Sequence, residues 1–63
     1  MKRVNVESNN GSFYIIFNFI EDSGFTIKVY DMTTSDRLFV EDLSSEEQEL
    51  FYQEVDKFVR ESF

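Results

Sequence analysis

Sixty-three residues carry 13 acidic and 6 basic side chains and no His, a formal net charge of −7, so the chain repels nucleic acid and anionic membrane and attracts basic protein surfaces. The lack of Cys excludes disulfide staples and thiolate metal sites, and the lack of His removes the commonest zinc ligand and the commonest general base. The length fits one domain, 1–63, near the lower limit for unaided folding, with eight Phe and three Tyr as its packing material.

No stretch approaches the roughly 20 apolar residues needed to span a bilayer, since the longest apolar run, Phe13 to Phe17, is five residues. Met1, Lys2 and Arg3 are followed by no signal-peptide core. Missing cysteines fit a reducing compartment. A cytoplasmic location is expected.

Val4-Asn5-Val6 alternates apolar and polar residues, which predicts a strand over 3–7. Asn9-Asn10-Gly11 is a turn signal, because Asn and Gly tolerate the positive φ of tight hairpins. A central strand is expected over 12–20, with Phe13, Ile15, Phe17 and Phe19 on one face and Tyr14, Ile16, Asn18 and Ile20 on the other. Glu21 to Gly24 makes the second turn, and Phe25, Ile27 and Val29 alternate with Thr26, Lys28 and Tyr30 in a third strand over 25–31. A polar loop, Asp31 to Asp36, leads to a short fourth strand over 37–40.

The final third changes period. Ser44-Ser45-Glu46-Glu47 fits a capping box, and the acids suit the positive end of a helix dipole, so a helix is expected over 45–61. At about 100° per residue, Phe51, Tyr52, Val55, Phe58, Val59 and Phe63 fall on one arc that should face the sheet. Glu47, Glu54 and Glu61 line a flank, with Leu50 beside them and away from the arc. The expected fold is α+β, an antiparallel four-stranded meander covered on one face by a C-terminal helix, ββββα.

One helix covers only one face of a sheet. Tyr14, Ile16, Ile20, Tyr30 and Phe39 should point to the other, and soluble monomers seldom expose a large apolar patch. That face is expected to mediate self-association, most simply as a homodimer.

Catalysis is not expected. Adjacent carboxylates such as Glu41/Asp42 diverge, nothing suggests a cleft that would separate their pKa values, and so small a domain has little room for a substrate pocket. The loop from Asp31 to Asp36 lacks the spacing and terminal Glu of an EF-hand, so no metal or other cofactor is expected. Tyr14, Tyr30 and Phe39 could stack bases on an open sheet, but such sites need cations for the phosphates. Only Lys28 lies on the expected face, which argues against direct nucleic-acid binding.

What remains is binding to a basic protein surface. Glu41, Asp42, Glu46, Glu47, Glu49, Glu54 and Glu61 are expected to present a carboxylate ladder along roughly 20 Å of helix, with Leu50 as a candidate apolar anchor among them. In size, acidity and lack of catalytic groups the chain resembles the small DNA-mimic inhibitors that bacteriophages use in host takeover. The resemblance covers composition and no motif, so no functional residue follows from it. It implies a phage or mobile-element protein that blocks a basic nucleic-acid-binding protein. The alternative is a non-enzymatic adaptor or antitoxin-like module that holds its partner through the aromatic sheet face.

Overall fold

The computed structural model describes residues 1–22 and 24–62. Its chain order is β1 (Lys2–Ser8), β2 (Gly11–Ile20), β3 (Gly24–Asp31), β4 (Arg37–Leu38), a 3-10 turn (Val40–Asp42) and α1 (Ser45–Ser62). The strands pair antiparallel in sequence order, so the expected ββββα meander is the observed fold. No described helix is long and apolar enough to cross a membrane.

The first hairpin turns on Asn9 and Asn10, between the paired residues Ser8 and Gly11. Ser8 Oγ accepts from the Asn10 amide at 3.2 Å and donates to the Gly11 carbonyl at 2.7 Å. Gly24 opens β3 at φ +97°, a conformation that strains any residue with a Cβ. The expected turn there includes Ser23, which lies outside the described residues.

Alternation along β2 sorts its side chains as the sequence implies. Phe13, Ile15 and Phe17 are fully buried, joined by Val6 from β1, Val29 from β3 and Phe51 and Phe58 from α1. Phe58 stacks on Phe17 and meets Phe25 edge to face. A core this aromatic lets a short chain bury a large apolar area with few residues.

The fourth strand is shorter than expected. It ends at Leu38 because the next carbonyls leave the ladder: Phe39 accepts from the Asp42 amide at 2.9 Å and Val40 from the Leu43 amide at 3.1 Å. This 3-10 turn lets Val40 and Leu43 pack against the core and brings the chain to the helix start. There the capping box forms as expected. Ser44 Oγ accepts from the Glu47 amide and Glu47 Oε1 from the Ser44 amide, both at 3.2 Å.

The helix is also rotated from the expected arc. Phe51 and Phe58 are buried and Val55 packs beside them, but Leu50 joins the core, whereas Tyr52 is 59% and Val59 36% exposed. The apolar arc was wider than one sheet can cover. Phe51 and Phe58 set its centre, and α1 lies against β1, which covers the flank carrying Leu50 and leaves the Tyr52 flank in solvent. Phe63, expected on the same arc, lies outside the described residues.

Candidate functional site

Two surfaces stand out, and they differ in charge. Residues 40–63 hold eight acids and two cations, whereas residues 1–39 hold five acids and four cations. The helical half therefore carries nearly all of the excess negative charge.

The carboxylates of that half have different surroundings. Glu41 and Asp42 are exposed on the 3-10 turn, and Glu46 and Glu49 on the first turns of α1. None of these four takes part in an ion pair among the described residues. Glu47 is half-buried and committed to the cap. Glu54 is half-buried and Glu61 lies 3.8 Å from Lys2, both facing β1 across a cleft of about 210 Å³ floored by Phe58. Asp56 pairs with Arg60 at 3.0 Å. What stays exposed and outside these contacts is an acidic edge of Glu41, Asp42, Glu46 and Glu49. Leu50 lies against the core rather than at the centre of that edge.

The open sheet face has a defined order. In an antiparallel ladder, paired residues share a face, so the register sets Arg3, Ile16 and Lys28 in one row and Asn5, Tyr14, Tyr30 and Arg37 in the next. Three cations therefore lie on this face, not Lys28 alone. The signal was in the alternation itself: with Val4 and Leu38 turned inward, Arg3 and Arg37 must turn outward.

Tyr14 and Tyr30 stack with centroids 5.2 Å apart and planes 19° from parallel. That separation is close to the spacing of neighbouring strands, about 4.8 Å, so the two rings stand up from the sheet side by side. The Arg3 guanidinium lies 3.9 Å from the Tyr14 centroid. The Arg3 guanidinium also reaches Met32, just past β3, its Nη2 donating to Sδ at 3.6 Å. Arg3 Nε also donates to Asn5 Oδ1 at 2.9 Å. Arg37 lies 6.0 Å from the Tyr30 ring and 5.4 Å from that of Phe39. Tyr14, Ile16 and Tyr30 are half-buried, Ile20 is exposed and Phe39 is 53% exposed.

At the end of β3, Asp31 Oδ1 accepts from the amides of Thr33 and Thr34 at 2.8 and 2.9 Å. The Thr34 amide first, and then that of Thr33, hold the carboxyl below its ordinary range. This shapes the loop before β4. Among the described residues, no group of three His, Cys, Asp or Glu is placed to hold a metal ion. Comparison with protein-family models, curated proteins and solved structures finds no match to this chain.

Proposed function

We propose that this chain is a non-enzymatic inhibitor that engages a basic surface of a protein partner through the acidic edge of Glu41, Asp42, Glu46 and Glu49. The observation that carries this reading is the set of four exposed carboxylates without ion-pair partners among the described residues, in a C-terminal segment that holds eight acids against two cations. Charges left unpaired in the free protein are available to a partner at little cost, and they steer its approach.

The fitting counterpart is a nucleic-acid-binding groove, where carboxylates take the place of phosphates. The edge is shorter than a duplex footprint, because Glu47, Glu54 and Glu61 are drawn into the cap and the β1 flank. Mimicry is accordingly confined to the Glu41–Glu49 end. Such a protein suits a phage or mobile element that disables a cytoplasmic host factor. The cleft beside β1, about 210 Å³, is smaller than the roughly 300–1,000 Å³ of ordinary ligand pockets, which supports binding rather than catalysis. Direct nucleic-acid binding is disfavoured by the net charge of −7, which repels phosphates.

The test is capture of basic nucleic-acid-binding proteins by the wild type and by Glu41→Lys/Asp42→Lys/Glu46→Lys/Glu49→Lys. Capture that is competed by DNA and lost in the variant supports the reading; equal capture by both refutes it.

A second reading is favoured by the uncovered sheet face, whose Tyr14, Ile16, Tyr30 and Phe39 remain partly exposed. There the chain is an adaptor, its contact resists salt, and Tyr30→Glu or Ile16→Glu abolishes it.

A further inference from the structure

Two faces of the molecule are covered by no other strand or helix among the described residues, and they are complementary. One is the open sheet face, where Arg3, Lys28 and Arg37 surround Tyr14, Ile16 and Tyr30. The other is the Tyr52 flank of α1. Glu49, Tyr52, Asp56 and Val59 are spaced three, four and three residues apart, which places them on one stripe, and all four are exposed. The stripe alternates acid and apolar, and the sheet face mixes cation and apolar.

We infer that these faces bind each other between copies: the Tyr52 stripe of α1 docks across the open sheet of a second copy, head to tail. The inference takes from the adaptor reading only that the sheet face is a docking surface. In the docked pair Glu49 and Asp56 approach the cations of the sheet, while Tyr52 and Val59 meet Tyr14, Ile16 and Tyr30. The sheet then has a helix on each side, the layering by which sheets commonly bury both faces.

Charge decides against the symmetric alternative. Two open faces in contact would oppose three cations with three cations, with only Glu7 of each copy as an acid on the same side. The Asp56–Arg60 pair does not block docking. Both side chains are mostly exposed, and exposed ion pairs exchange partners at small cost. Because the two surfaces differ, the contact is heterologous and repeats until a ring closes or the chain of copies ends.

The contact is small. The helix stripe is the smaller of the two surfaces, since Glu49 to Val59 spans only about 15 Å of helix, and the contact falls well below the roughly 800 Å² per partner of a standard interface. Association is therefore weak.

Sedimentation equilibrium on the intact chain tests this. The wild-type average mass should rise about twofold or more as concentration approaches 1 mM. Arg3→Glu/Arg37→Glu and Glu49→Lys/Asp56→Lys should each remain monomeric, with folding checked by circular dichroism. A 1:1 mixture of the two should associate again, because each reversed face meets a complementary one. Tyr52→Ser, which changes no charge, should weaken the wild-type association severalfold. A wild type that stays monomeric throughout overturns the inference, even if the sheet variant loses a different partner and the adaptor reading stands. So does a mixture that fails to associate, or a stripe variant that associates like the wild type, which would indicate sheet-to-sheet pairing.

Discussion

Phe58 stacks on Phe17 with ring centroids 4.0 Å apart and planes 18° from parallel, and this contact locks α1 onto the centre of the sheet. Both rings are almost wholly buried. Phe58→Ala should cost about 3–5 kcal/mol, against a total stability of about 3–9 kcal/mol for a chain this long. Urea denaturation should find the variant largely unfolded or with its midpoint strongly lowered. A loss below about 1 kcal/mol would mean that the helix is held elsewhere.

The helix start has two ties. Ser44 Oγ serves the Glu47 amide and also accepts from Asn10 Nδ2 at 3.1 Å, so one hydroxyl caps α1 and joins it to the first hairpin. Ser44→Ala should lose about 0.5–2 kcal/mol. Glu47→Gln keeps an oxygen for the Ser44 amide and should lose less. Thermal melts of the two variants give the order directly.

Asp31 sets a pH dependence in the acid range. Its folded-state pKa is depressed by the Thr34 and Thr33 amides, so its contribution to stability is fully present above the ordinary carboxylate pKa. That contribution is lost as pH falls through the lower folded value. Asp31→Asn keeps an acceptor oxygen for both amides, whereas Asp31→Ala does not. At pH 7 the Ala variant should melt below the Asn variant. The gap between wild type and Asn should close as the pH drops below about 4.

Much of this architecture was legible because β1 and β3 alternate, Val4 and Val6 about Asn5, and Phe25, Ile27 and Val29 against Thr26, Lys28 and Tyr30, which fixes the core face of the unbroken apolar run in β2. Once Phe13, Ile15 and Phe17 are assigned to the core, the faces of all four strands follow, and Arg3 and Arg37 could have been placed outward from the same parity. The limits of β4 were not legible. Phe39 and Val40 have strand-forming side chains, and only the hydrogen bonds of the 3-10 turn remove them from the ladder. The rotation of α1 was hidden for a similar reason. Leu50, Phe51 and Tyr52 are all apolar enough to face a sheet, and the choice is made by where β1 lies. In the acidic half, the number of carboxylates could be read directly, but not that Glu47 would be taken by the cap or that Glu61 would lie beside Lys2.

That rotation is open to a stability comparison. Leu50→Ala should cost about 1–3 kcal/mol, because Leu50 packs on the core. Tyr52→Ser should stay within about 0.5 kcal/mol, as exposed substitutions do. Equal losses would place the helix in the orientation that its full apolar arc suggests.

The central claim is that the unpaired edge of Glu41, Asp42, Glu46 and Glu49 holds a basic protein partner. The most direct measurement is a nuclease-treated pull-down with tagged wild-type and edge-reversed protein, washed in rising salt. A basic nucleic-acid-binding protein should appear on the wild type only, released as salt screens the contact and displaced by added DNA. A partner that survives high salt and binds the reversed edge equally well would contradict it, and would move the function to the aromatic face of the sheet.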